Sequence, residues 1–241
     1  MHSWRPGTVQ ALVTACFLTA LTTTTIRAQQ PDAAAVIHGI DAAVQARFDS
    51  IAEFTVTEHY AVYRGKDAAK PMAEMTVKTL YKRDEGKSYT ILSQSGPDIV
   101  KKMVFSSLLD NEKHINDPVT REASWFISAN YEMKLKPGGT QLLNDRECFV
   151  LDITPKHKAP NLIVGTMWVD AKDESLVKIE GIGSKSPSIW AGPTQMLRQY
   201  VNINGFAMAT HARAVSSSFL FGQTVVTIDY ADYHIQLRSA K

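Results

Sequence analysis

Between Arg146 and Ile235 the chain is a succession of short runs rich in Val, Ile, Phe, Tyr, Trp and Thr, with almost no helical periodicity. The runs are Cys148–Thr154, Gly165–Asp170, Leu176–Gly181, Gln199–Ile203, Phe206–Ser216 and Thr224–Tyr230, each bounded by Gly, Pro, Asn, Asp or Ser. Turns this short can only join antiparallel neighbours, because a parallel pair needs a long crossover. The pattern therefore predicts a meander. An antiparallel sheet of many strands must curl, close or be covered on one face, so the chain is expected to build a curved sheet that shelters something apolar.

The upstream segments supply the cover. Val36, Ile40, Val44, Phe48 and Ile51 recur at helical spacing behind the start signal Pro31-Asp32. The period then changes to two. Phe54, Val56, Glu58, Tyr60 and Val62 share one face of a strand, with Thr55, Thr57, His59 and Ala61 on the other. Met75–Tyr81 alternates again, and Asp84-Glu85-Gly86-Lys87 closes a hairpin onto Ser88–Ser93. Gly96-Pro97-Asp98 opens a second helix with an apolar stripe of Ile99, Val100, Met103, Val104 and Leu108. A short helix is expected around Glu122–Ala129. Tyr131–Leu135 and Glu147–Ile153 read as strands joined through Pro137-Gly138-Gly139. No internal repeat or low-complexity linker interrupts the chain.

The amino terminus has the organisation of an export signal. Met1–Gly7 carries Arg5 and no acid. Ala11–Leu21 is apolar but too short for a stable membrane span, and Ile26-Arg27-Ala28 places an aliphatic residue at −3 and a small one at −1. Residues 1–28 are expected to be a cleaved signal peptide and residues 29–241 a single domain in the periplasm. Val13-Thr14-Ala15-Cys16 is the rival, a lipobox-like site that would anchor the protein through Cys16. The whole chain has 26 Lys+Arg and 24 Asp+Glu; loss of Arg5 and Arg27 leaves 24 of each. A balanced chain without a long basic run gives no electrostatic case for nucleic acid or an anionic membrane surface. Only Cys148 survives cleavage, so no internal disulfide can form.

Searching for chemistry yields little. The histidines His38, His59, His114, His157, His211 and His234 are scattered without ligand spacing, and a lone Cys disfavours a usual zinc site. Glu58 and His59 are adjacent on a strand and point to opposite faces, which makes a poor acid–base pair. Gly181-Ile182-Gly183-Ser184-Lys185-Ser186 lacks the glycine before lysine and the following helix of a phosphate loop. There is no Gly-x-Ser-x-Gly elbow, and Cys148 in an apolar strand reads as a small buried hydrophobe. The expectation is a protein that is not an enzyme and needs no cofactor.

What remains is apolar. The more hydrophobic strand faces include Val56, Tyr60, Met75, Val77, Tyr81, Ile91, Leu151, Met167, Val169, Ile179, Met208, Val226 and Ile228, while Trp190, Phe206 and Phe221 lie near strand ends or in loops. Most such residues are ordinary core in any fold. Collectively, two helices cannot cover so long a sheet, so a concave apolar surface should remain. These sixteen residues are the candidate lining of a pocket for a greasy ligand.

Cys148-Phe149-Val150-Leu151-Asp152-Ile153-Thr154-Pro155, Gly165-Thr166-Met167-Trp168-Val169-Asp170, Leu176–Gly181, Lys185-Ser186-Pro187-Ser188-Ile189-Trp190 and Phe221–Tyr230 resemble the outer-membrane lipoprotein-sorting (LolA/LolB-like) superfamily, as do Ala73–Val77 and Ser95-Gly96 upstream. The similarity runs from about Asp32 to Ile235. It implies an α+β fold, an open half-barrel of antiparallel strands with helices over the concave side. It also implies a periplasmic carrier that binds the acyl chains of a lipid or lipoprotein, with an inner- or outer-membrane protein as a further partner. The hook loop and functional arginine of the well-studied carrier have no placed counterpart here. A lipid-sensing module on the same fold and a secreted hydrolase are the alternatives. Amino-terminal sequencing of the exported protein is expected to start at Gln29 or within a residue or two of it. A diacylated Cys16 at the terminus would instead make the protein membrane-anchored.

Overall fold

Asp32 starts a helix by accepting a hydrogen bond from the Ala34 backbone N–H at 3.0 Å, the usual way an Asp caps a helix. The computed structural model describes residues 1–2, 31–65, 69–159, 161–185, 192–218 and 222–239. The proposed signal segment, Trp190 and Phe221 lie outside them. Helix α1 (Ala33–Ser50) leads directly into β1 (Ile51–Arg64), followed by β2 (Ala73–Lys82) and β3 (Gly86–Ser95). A helical passage follows: α2 (Asp98–Val100), a π-turn (Lys101–Phe105), α3 (Ser106–Ile115) and a 3₁₀ turn (Arg121–Ser124). The remaining strands are β4 (Tyr131–Leu143), β5 (Arg146–Pro155), β6 (Ile163–Asp170), β7 (Leu176–Gly183), β8 (Gln195–Ile203), β9 (Phe206–Ser218) and β10 (Gly222–Leu237).

All ten strands form one sheet in the order β3-β2-β1-β10-β9-β8-β7-β6-β5-β4. Every pairing is antiparallel. The six-run meander read from the sequence is β5 to β10; β4 extends it beside β5, and β1 joins it by pairing with β10. Edges β3 and β4 do not pair, so the sheet is open. The connection between those edges must cross the whole sheet, and the helical passage makes that crossing on the face it shares with α1. At one end Val100, Phe105 and Leu109 pack on Tyr60, Val62, Met75 and Val77, with Val226 and Ile228 against them. At the other end Val36 and Ile40 of α1 and Phe126 pack on Leu151, Ile153, Met167, Val169 and Ile179.

Strand parity follows the sequence. Met75, Val77 and Ile179 are buried on the helix side. Lys178 is on the opposite face, its Nζ 4.5 Å from the ring centre of its cross-strand neighbour Trp168. At Gly165 and Gly181, paired across β6 and β7, an added Cβ would meet backbone oxygens at 2.1 and 2.2 Å, so the two strands approach as only glycine allows.

Three expectations require correction. Pro137-Gly138-Gly139 is not the turn between β4 and β5. It lies within β4 as a bulge between Leu135 and Thr140, and the reversal is made by Asn144 and Asp145 at φ 50° and 61°. Proline is tolerated there because β4 is an edge strand. The second helix packs the expected Val100, Val104 and Leu108 on the sheet but adds Phe105 and Leu109, and leaves Ile99 and Met103 61% and 58% exposed. The π-turn widens the spacing from Val100 to the next buried residue to five, and a strict α periodicity misses that shift. The anticipated helix at Glu122–Ala129 shrinks to the 3₁₀ turn. Phe105 is wholly buried at the crossing and meets the Tyr60 ring edge-on at 6.4 Å. Phe105→Ala is expected to lower unfolding free energy by about 3–5 kcal/mol in urea titration, the range for emptying such a core site.

Candidate functional site

The two packed ends leave a gap between them. A cavity of about 320 Å³ opens there, bounded by the last turns of α1, the end of α3 and the middle of the sheet. One wall is aromatic: Phe48 stacks on Trp125 with ring centres 3.9 Å apart, and Phe54 stacks on Tyr81 at 4.8 Å. Phe126 and Phe206 also border it. The β9 floor is Ala207, Ala209 and Ala212. The bulge between Gln199 and Tyr200 is what keeps Ala209 and Ala212 on the same face across an odd step. The alanines of β9, together with Ala43 and Ala46 of α1, are the small side chains that leave this space.

Facing the aromatic wall is an ionic cluster that sequence reading missed. Glu112 of α3 accepts from Lys87 Nζ at 2.7 Å and lies 3.9 Å from Arg198 of β8. Lys87 also lies 4.0 Å from Glu58. Glu58 is 1% exposed, and its other oxygen accepts from the Tyr60 hydroxyl at 2.5 Å. Burial pushes the Glu112 carboxyl up, but Lys87 and Arg198 outweigh it and hold it below its ordinary value. Burial likewise pushes Lys87 down, and the facing Glu112 and Glu58 reverse that and raise it. The Tyr230 hydroxyl, buried beside the same acids, is pushed well above the usual phenol value and stays protonated. Arg47 reaches the cavity from α1, and its Nε has no hydrogen-bond partner among the described residues.

Of the sixteen residues proposed from sequence, Val56, Tyr81 and Phe206 border the cavity. Tyr60, Met75, Val77, Val226 and Ile228 belong to the cluster beneath α2 and α3. Leu151, Met167, Val169 and Ile179 belong to the one beneath α1. Met208 is buried against Phe54 and Val56. Ile91 is 51% exposed on the edge strand, beyond the reach of the helices. Strand parity identifies the inner face and is silent on which part of it a helix fills. Glu58 was legible as an inner-face acid, on the same side as Val56 and Tyr60. The structure buries it at the cavity. Lys87, Glu112 and Arg198 are far apart in the chain and left no local signal.

Groups of chemical interest elsewhere do not converge. His59 pairs with Glu74 at 3.3 Å and His211 with Asp229 at 2.7 Å, both on the outer face. Cys148 is fully buried, and burial pushes its thiol up, away from reactivity. Among the described residues no cluster of His, Cys, Asp and Glu could hold a metal ion. None of their helices is long and apolar enough to cross a membrane.

No protein-family model and no curated protein matches the chain. Three solved structures are similar at a distance. A LolA superfamily protein from Nitrosomonas europaea is 15% identical over 88% of this chain and 96% of its own, with a TM-score of 0.44. An outer membrane lipoprotein-sorting protein domain from Vibrio parahaemolyticus is 13% identical over 82% and 91%, with a TM-score of 0.45. A DUF1329 family protein from Desulfovibrio piger is 14% identical over 83% and 93%, with a TM-score of 0.41.

Lys87 is the cation that decides the cluster's balance. A carboxyl held below its ordinary value adds stability above that value, which is lost as pH falls through the lowered one. In Lys87→Met burial should dominate instead and raise Glu112, reversing the sign. The variant is expected to lose about 3 kcal/mol at neutral pH, with the deficit narrowing at mildly acidic pH as the carboxyl takes up a proton. Urea unfolding at the two pH values measures both.

Proposed function

We propose that this chain is an exported, non-catalytic carrier that takes the apolar part of a lipid into the cavity beneath its helices. One observation carries the reading. The inner face of the sheet is packed at both ends and hollow in the middle, and the hollow has an aromatic wall and an alanine floor. Its volume of about 320 Å³ lies at the lower end of the range for ligand pockets, about 300–1,000 Å³. That suits one slender chain better than several. Each methylene removed from water contributes about 0.8 kcal/mol, so even a medium-length tail would bind without specific polar contacts.

In the more specific form implied by the family resemblance, the cargo is an acyl chain of a lipid or lipoprotein crossing the periplasm to the outer membrane. Export through the predicted signal peptide is consistent with that route. Charge balance speaks against nucleic acid, and the described histidines, acids and cysteine speak against a hydrolytic site.

Ala209 offers the direct test, because it lies on the floor and its methyl is not part of a packed core cluster. Ala209→Trp should fill the cavity and weaken binding of a fluorescent fatty-acid probe at least about tenfold, with far-ultraviolet circular dichroism unchanged. The outer-face change Thr227→Ala should leave binding as it is. Equal binding by wild type and Ala209→Trp would refute the cavity as the site.

A further inference from the structure

Among the described residues, Arg47 is the one cavity cation without an acid. Lys87 and Arg198 share Glu112, and Lys87 also faces Glu58. Arg47 makes no ion pair and no side-chain hydrogen bond among the described residues, and its Nε is shut off from solvent. Asp173 also borders the cavity. It is exposed, accepts from the Ser175 backbone N–H and from Asn202, and forms no ion pair with Arg47. The groups that act on Arg47 most are burial, which lowers its affinity for a proton, and the neutral phenols of Tyr233, Tyr81 and Tyr200. What supports the side chain locally is the Phe48 ring, 5.0 Å from the guanidinium carbon, and a place in the last turn of α1. Both favour a cation, and neither satisfies five N–H donors.

Arg47 is half-buried, and a guanidinium N–H shut off from water without an acceptor is costly to the free protein. Its planar fork matches a carboxylate or phosphate through two parallel hydrogen bonds. Here it lines the hollow beside the aromatic ring of Phe48. We propose that Arg47 is the headgroup-binding residue of the cavity. The ligand is a single-chain anionic amphiphile whose tail lies over Ala207, Ala209 and Ala212 and whose anionic oxygens pair with Arg47. This proposal rests on the lipid-binding reading above and narrows it to an anionic class. A neutral diacylglyceryl tail, by contrast, would leave the guanidinium unpaired.

Isothermal titration of the mature protein and of Arg47→Gln with dodecanoate, dodecyl phosphate, dodecanol and acetate tests it. Wild type should bind the carboxylate or the phosphate at least about tenfold more tightly than the alcohol, and acetate far more weakly. Arg47→Gln should abolish that preference and leave dodecanol affinity as it was. Dependence on Arg47 confined to one anion assigns the headgroup to that chemistry. Ligand-free Arg47→Gln should melt no lower than wild type, since it relieves an unpaired charge. Equal affinity of wild type for acid and alcohol overturns the proposal. So does an equal weakening of both in the variant with a lower melting temperature, which marks Arg47 as structural. Acetate bound as tightly as dodecanoate overturns it as well. Failure of every chain-bearing ligand to bind wild type is a different result, because it removes the lipid-binding reading itself.

Discussion

One carboxylate, Glu112, holds the two flanks of the sheet in relation to each other. Its oxygens meet Lys87 of β3 and Arg198 of β8. Those strands are five positions apart in the sheet, about 24 Å if it lay flat. Side chains stand roughly perpendicular to a sheet, so the strands themselves must curl inwards for both cations to reach one residue. The curl makes the concave face. Because Glu112 is on α3, the same contact ties the crossing helix over that face. The cluster is also expensive to bury, and Glu112 keeps its charge because Lys87 and Arg198 face it.

From that curl the cavity follows by packing. α1 fills one end of the trough with Val36 and Ile40, and the crossing passage fills the other with Val100, Phe105 and Leu109. Neither reaches the middle, where β9 presents alanines. The Phe48–Trp125 stack roofs the gap instead of plugging it. A hollow of this kind is a compromise between stability and function, since filling it with larger β9 side chains would bury more apolar surface.

The strands were legible because their signal is local: runs of two-residue period cut by turn residues. β10 is longer than the run read for it, since the chain continues to pair with β1 after Tyr230, past an irregularity at Asp232 (φ 55°) that breaks the two-residue alternation. Pro137-Gly138-Gly139 looked like the stronger turn signal and proved to be a bulge. The real reversal used Asn144-Asp145, a weaker signal whose residues tolerate positive φ. The helix over the sheet was found, but its face was rotated by a π-turn that no residue type announces. The site was the least legible part. Which inner-face residues border a void depends on where the helices end. The ionic cluster joins residues from β1, β3, α3 and β8, which no window of sequence brings together.

The pairing of β1 with β10 has a consequence for how the chain is made. β4 to β10 can form hairpin by hairpin as they emerge, but β1, β2 and β3 reach that sheet only through β10, the last strand in the sequence. Until Gly222–Leu237 is available, the amino-terminal third can form no more than its own small three-stranded sheet, with Val56, Tyr60, Met75 and Val77 uncovered on one face. Long-range pairings of this type form late and slowly. A polypeptide with this strand order stays unfinished until β10 is available to pair with β1. It also leaves the apolar inner face in need of protection during the interval.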